Sequence, residues 1–256
     1  MGLPRGTTIR LSPFRKMICD MMHFSQKLPL VAIERRIDFS DLIAARQAME
    51  HRPSWFAILT KAYGLVALES PPLRQAYLTF PWARIHQHAC NVAHVIINRK
   101  VGDEDVVMPL QMRYPETQSI AKIDAFIRSA RTEPVESFSD FRRYMLISRF
   151  PQWLRRMVWW AGLLTCGHWR AKYAGTFGVT GVAALGATSL TVLSPLTTTF
   201  SFGAFDDDGT GLVRLFFDHR VVDGAEPARA LEAFDRALHG PILEELRSQR
   251  AVRLAA

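Results

Sequence analysis

The stretch Phe216–Leu238, FFDHRVVDGAEPARALEAFDRAL, carries the side chains best suited to chemistry. A β-rich run ends at His219. Asp223-Gly224 then reads as a turn, and a helical pattern begins with Ala225, Ala228, Leu231, Phe234 and Leu238 on one face. A histidine at a strand end is held rigidly at the edge of a cleft. The ordinary pKa of an imidazole lets it take a proton from a thiol or hydroxyl as that group attacks a carbonyl. Asp223 can cap the helix and order the loop around the histidine. A purely structural strand–turn–helix satisfies H-x-x-x-D-G equally well, so the pattern alone leaves both readings open. A second group is His86, His88 and Cys90, which a continuous strand would place on one face, with His94 four residues further on. That spacing raises a metal site. No carboxylate completes the set nearby, and the expectation is no metal.

The surrounding pattern supplies the elements that must position these residues. Helices are expected over Asp38–Glu50, with Asp38 or Ser40 as cap, and over Ser54–Glu69, stopped by Ser70-Pro71-Pro72. Two more are expected over Ser119–Arg131 and Ala225–Leu238. Strands are expected over His86–Asn98, Asp105–Met112, Gly175–Thr180, Ser189–Leu193, Thr197–Phe205 and Gly211–Phe217. Pro134–Arg170 is basic and aromatic together and reads as helical in part. Helices and strands intermix without strict alternation, which points to an α+β fold with a mixed sheet. No linker divides the chain, so 1–256 is read as one domain.

The 256 residues are 48% hydrophobic and 22% charged, which excludes disordered and disulfide-scaffold classes. Cys19, Cys90 and Cys166 are far apart, which fits a reducing, cytoplasmic setting. Met1–Arg15 leads into no apolar signal-peptide core. Residues 173–205 carry no charge, but their glycines, serines and threonines and Pro195 suit buried strands with turns better than a membrane span. The net charge of +8 is spread in pairs such as Arg35-Arg36 and Arg142-Arg143. It therefore argues for no nucleic-acid partner, while fitting a polyanionic ligand.

DHRVVDGA followed by A-x-x-F resembles the catalytic signature of the dihydrolipoamide acyltransferase component of 2-oxoacid dehydrogenase complexes, whose catalytic domain has a chloramphenicol acetyltransferase-like fold. Other segments follow in order. Leu11–Met17 (LSPFRKM) is similar to the family's opening, Leu30–Leu42 to its first strand and helix start, and Ile58–Ser70 to its lysine-containing helix. Cys90-Asn91-Val92 resembles its V-N-I/V, and Ala174–Gly181 (AGTFGVTG) its G-G-T-F-T-I-S-N. The resemblance implies a mixed β-sheet flanked by helices and a homotrimer with active sites between subunits. Within that site His219 would be the general base and Thr180 of the next subunit the oxyanion donor. Asp223 and Gly224 would shape the active-site loop, and Arg15 would pair with Asp223. Coenzyme A would enter one end of the channel and a lipoyl arm the other, with no metal.

The chain also departs from that pattern. Nothing resembling a lipoyl or peripheral-subunit-binding domain precedes the catalytic part. The family's glycine-containing strand pair reads here as Val101-Gly102 and Asp105–Leu110. A segment with Phe150, Trp153, Trp159, Trp160 and Trp169 replaces the one before Gly175. The ending ELRSQRAVRLAA is basic where the family has an apolar tip. The expectation is therefore a stand-alone acyltransferase using acyl-CoA and a hydroxyl, amine or thiol acceptor, forming a trimer rather than a cage. The alternatives are a dehydrogenase-complex core served by a lipoyl arm in trans, and a non-catalytic scaffold. The Trp-rich stretch is read either as core or subunit interface, or as a seat for a lipid acceptor or a membrane surface.

Overall fold

The computed structural model describes residue 3, residues 5–181 and residues 186–254. Residues 182–185 of the uncharged stretch, and 255–256 at the end of the basic tail, lie outside the described residues. Among the described residues eight strands form two sheets: β1 (Leu30–Asp38), β2 (Gln75–Leu78), β3 (Arg84–Gln87), β4 (Val92–Val101), β5 (Glu104–Arg113), β6 (Phe177–Gly181), β7 (Thr198–Phe205) and β8 (Thr210–Asp218). The main sheet has the order β1-β8-β7-β6-β4-β5, and β2 pairs with β3. Strand β6 runs parallel to both of its neighbours while the other pairings are antiparallel. This is the mixed sheet expected.

The nine helices among the described residues are α1 (Pro13–Ser25), α2 (Ser40–Gln47), α3 (Trp55–Glu69), α4 (Ile120–Thr132), α5 (Ser139–Ser148), α6 (Gln152–Leu164), α7 (Gly167–Tyr173), α8 (Ala225–Ala237) and α9 (Leu243–Leu254). Helix α3 starts where Ser54 accepts a hydrogen bond from the Ala57 N–H, and α4 where Ser119 accepts one from Lys122. Strand alternation sends Val95, Ile97, Phe177, Val179, Phe200 and Leu215 to one face, where they pack with Tyr63 of α3 and Phe234 of α8 in the core. The opposite face, at the β6-β4-β5 end, lies under α1, α5 and α6.

Three expectations change. His86–Asn98 is not one strand: β3 ends at Gln87 and β4 begins at Val92. The break is set by tertiary bonds at Asn91, whose side-chain amide N–H donates to Gly64 O at 2.9 Å while its backbone carbonyl accepts from Tyr114 N–H. Ser189–Leu193 is a loop. It crosses the open face of the sheet, with Ser189 O accepting from Arg214 at 2.7 Å, so its apolar residues cover rather than pair. The segment around Val101-Gly102, where the sequence departs from the resembled strand pair, is a complete ten-pair hairpin turning on Gly102 at φ +60°. Pro109 is tolerated there because β5 is an edge strand.

The basic, aromatic segment forms α5, α6 and α7, tied to α1 by charge. Asp20, fully buried on α1, accepts from Arg155 of α6 at 2.5 Å, and Arg155 also donates to Phe150 O at 3.0 Å. Among the described residues no helix is long and apolar enough to cross a membrane. All three cysteines are free.

Removing one partner of a buried pair strands the other. Asp20→Ala is therefore expected to lower unfolding free energy by about 3–5 kcal/mol in urea titration. A loss below about 1 kcal/mol would show that α6 is held by its apolar contacts alone.

Candidate active site

His219 is the first residue after β8, in a turn built by its neighbours. The Asp218 carboxylate is buried at the strand end. It accepts hydrogen bonds from the Arg220 backbone N–H (3.1 Å) and from Arg220 Nε (2.9 Å) and Nη2 (2.7 Å). Asp218 O accepts from Val221 and Val222, and His219 N–H donates to Pro29 O at 3.2 Å. Arg220 lies over the Tyr77 ring, and the hydrogen bonds it donates to Asp218 hold its guanidinium above its ordinary pKa. Behind Asp218, buried Arg170 donates to the carbonyls of Leu163 and Pro195. Burial brings its pKa down to about 10, and Asp218 opposes that shift. An Arg170–Asp218–Arg220 cluster thus fixes the backbone on which His219 sits. No local pattern in the sequence marks it, because Arg170 lies 48 positions before Asp218 and the three residues meet only in the fold.

The His219 ring is itself half-exposed. Its Nδ1 stands 3.7 Å from Asp223 Oδ1, beyond hydrogen-bond range, and the Asp223 side chain is 94% exposed. Asp223 does not cap α8: the cap position is Gly224, without a side-chain bond, and only the Asp223 backbone carbonyl accepts, from Glu226 N–H at 3.1 Å. The carboxylate faces His219 and solvent instead. Gly224 has an ordinary φ of −56°, and a Cβ there would meet nothing within 4 Å, so this backbone does not require glycine. Arg15 lies in the first turn of α1, its N–H capped by Ser12 Oγ, and no ion pair joins it to Asp223 among the described residues.

Thr180 is on β6, facing away from the core. With Gly178 it lines a cavity of about 180 Å³ on the open face of the sheet. The walls are apolar: Phe14, Met17 and Met21 from α1, Ile96 from β4, Tyr144 from α5 and Trp159 from α6. Ser194 from the covering loop is a polar exception, and others gather around Gly178. His94 and Thr199 are its register partners on the two flanking strands, and His94 Nδ1 and Thr199 Oγ1 are buried without hydrogen-bond partners. Glycine is required at 178 by space, because a Cβ would come within 2.9 Å of Thr199 Oγ1.

His219 and Thr180 do not meet within one chain. Thr180 is level with Ser201 and Arg214, which precedes His219 by five residues. Five residues along a strand and two strand spacings across put them on the order of 19 Å apart. The histidines of the supposed metal group are separated as well. His86 lies on β3 with its ring 5.0 Å from that of His88, while His94 lines the cavity. Among the described residues no three His, Cys, Asp or Glu side chains gather where a metal could bind. The Trp-rich segment splits by face: Arg155 and Leu163 are buried, whereas Trp153, Met157 and Trp160 are exposed.

No protein-family model matches the chain, and no curated protein matches it in sequence. Solved structures do share its fold. A probable dihydrolipoamide acetyltransferase from Listeria monocytogenes gives a TM-score of 0.66 at 18% identity, over 91% of this chain and 94% of that one. The Azotobacter vinelandii dihydrolipoamide acetyltransferase gives 0.65 at 16% identity, over 97% and 94%. Roles in its catalytic mechanism have been investigated for a serine and for a histidine and an asparagine four residues apart. A chloramphenicol acetyltransferase gives 0.50 at 14% identity, over 86% and 94%. The expected chloramphenicol acetyltransferase-like architecture is therefore the one observed.

Burial pushes the His94 pKa down to about 4 from an ordinary 6.5. The unfolded chain takes up this proton below about pH 6.5 and the native chain only near pH 4, so stability falls as pH drops through that window and is unaffected above it. Two and a half units amount to roughly 3 kcal/mol at the acid end. His94→Leu is expected to remove that part of the acid slope in urea titrations at pH 7 and pH 4.5. An unchanged slope would mean that His94 is solvated.

Proposed function

We propose that the chain is an acyltransferase that moves an acyl group from an acyl thioester, acyl-CoA, to a hydroxyl, amine or thiol acceptor, and that it works as a homotrimer. The observation that carries this reading is the placement of Thr180. A hydroxyl donor sits at a cavity lined by apolar side chains, while the base that would serve it is about 19 Å away in the same subunit. The site is completed when His219 of one subunit faces Thr180 of the next. His219 and Asp223 repeat the four-residue spacing of the histidine and asparagine studied in the Azotobacter vinelandii enzyme.

The acceptor binds with its X–H toward the His219 nitrogen that does not face Asp223. As the acceptor lone pair attacks the thioester carbonyl, the imidazole takes the proton. The new oxyanion accepts a hydrogen bond from the Thr180 hydroxyl, placed on a rigid strand. Collapse of the tetrahedral intermediate breaks the C–S bond, and the imidazolium returns its proton to the departing thiolate. The Arg170–Asp218–Arg220 cluster holds the His219 backbone and does not touch the reacting atoms. The net positive charge favours a polyanionic donor. The dihydrolipoamide acetyltransferase neighbours favour one second reading, a thiol acceptor on a lipoyl arm carried by another chain.

Thiol release from an acyl-CoA series tests the proposal, with acceptors including free dihydrolipoamide. His219→Ala is expected to lower kcat/KM by about 10²–10⁴-fold and Thr180→Ala by about 10²–10³-fold. Turnover that requires dihydrolipoamide selects the second reading. A folded oligomer with no turnover is a scaffold, and turnover indifferent to His219 rules out its role as base; either result contradicts the proposal.

A further inference from the structure

We propose that the cavity behind Thr180 is an acyl-chain tunnel, and that the thioester this chain uses carries a medium or long hydrocarbon chain rather than an acetyl group. This rests on the acyltransfer reading for its chemistry but on separate observations for its substrate. The strand-borne polar groups of the cavity gather at one end. Around Gly178 stand the Thr180 hydroxyl and the unpartnered His94 Nδ1 and Thr199 Oγ1, with His94 only 9% exposed. Those groups suit a carbonyl. Away from the sheet the walls are Phe14, Met17 and Met21 on α1 and Trp159 on α6, which suit methylenes.

The cavity also has somewhere to lead. A second cavity, of about 370 Å³, lies between α5, α6 and α7. Both are lined by Tyr144, Trp159 and Ala174. Ala174 lies just before β6, so the order Thr180, Gly178, Ala174 runs from the reacting end toward the junction. The rings of Tyr144 and Trp159 stack there at 6.3 Å and 19°. Trp159 Nε1 is buried without a partner, and Tyr144 OH makes only a long 3.4 Å contact to Tyr173 O. Neither ring is locked by a strong hydrogen bond, so the stack can part for a chain. Beyond it the second cavity is walled mainly by apolar side chains, among them Ile147, Val158 and Leu163, with Arg143 as its charged member. Helices α6 and α7 belong to the segment that departs from the resembled family, and the Asp20–Arg155 pair fixes α6 to α1. An acetyl group would leave nearly all of this surface unused.

Two measurements test the tunnel. The first is kcat/KM for acetyl- through hexadecanoyl-CoA. Each added pair of methylenes is expected to raise it by about tenfold until the tunnel is full. A flat profile, or a preference for acetyl-CoA, overturns the proposal. The second is calorimetric binding of dodecanoic acid, which needs no turnover. Ala174→Phe, which fills the junction, is expected to weaken dodecanoate binding and to lower the dodecanoyl-to-butyryl ratio of kcat/KM at least tenfold. Tyr144→Ala is expected to move the preference toward longer chains, and it keeps the test usable if the phenylalanine variant does not fold. Dodecanoate binding that A174F weakens, without turnover of any acyl-CoA, supports the tunnel and sinks the acyltransferase reading. His219-dependent acetyl-CoA turnover without dodecanoate binding does the reverse.

Discussion

The two-residue period of β6 is the constraint on which the candidate site depends. Phe177 and Val179 go into the core against Tyr63 and its neighbours, so Gly178 and Thr180 must leave on the other face. A slip of one residue would bury Thr180 among aromatics and push Phe177 into the cavity. The strand is held against such a slip from both sides, by parallel pairing with β4 and with β7. The same register brings His94 and Thr199 beside Gly178, so one strand's alternation creates the core, the hydroxyl and the polar end of the cavity together.

Buried charge does the remaining positioning. On the Thr180 side, Asp20 and Arg155 clamp α6 to α1 and so define the cavity walls. On the His219 side, Asp218 ties Arg220 into the turn with buried Arg170 behind it. Each cluster places charge where water is excluded, which is costly unless every partner is present. The outcome is an exposed imidazole on a fixed backbone and a hydroxyl on a fixed strand, at two ends of one sheet. The proposed catalytic pair, separated in this way within a protomer, calls for a site shared between subunits.

Much of the architecture was legible because it is periodic. The helices over α3, α4 and α8 and the strands β5, β7 and β8 follow local apolar spacing and were expected within a few residues of where they lie. His219 was legible through its spacing to Asp223 and Gly224. What was not legible depends on contacts between distant residues. The break between β3 and β4 follows from Asn91 bonding to Gly64 O, and Ser189–Leu193 is a loop because it lies over Arg214 instead of beside a strand. Asp20 and Arg155 are separated by 135 positions, and no local pattern announces such a pair. The capping role expected of Asp223 failed because its carboxylate turns toward the histidine. The inward and outward faces of α6 could not be read from a run in which both are apolar.

The central claim is that His219 and Thr180 form one site from two subunits. The most direct measurement co-expresses His219→Ala and Thr180→Ala chains, each inactive alone, and assays the purified mixed oligomers for acyl-CoA turnover. In the proposed trimer, mixing creates interfaces where an intact His219 meets an intact Thr180, so the account predicts recovery of a substantial fraction of wild-type activity. If verified mixed oligomers stay as inactive as the single variants, the two residues do not share a site across subunits and the account is wrong.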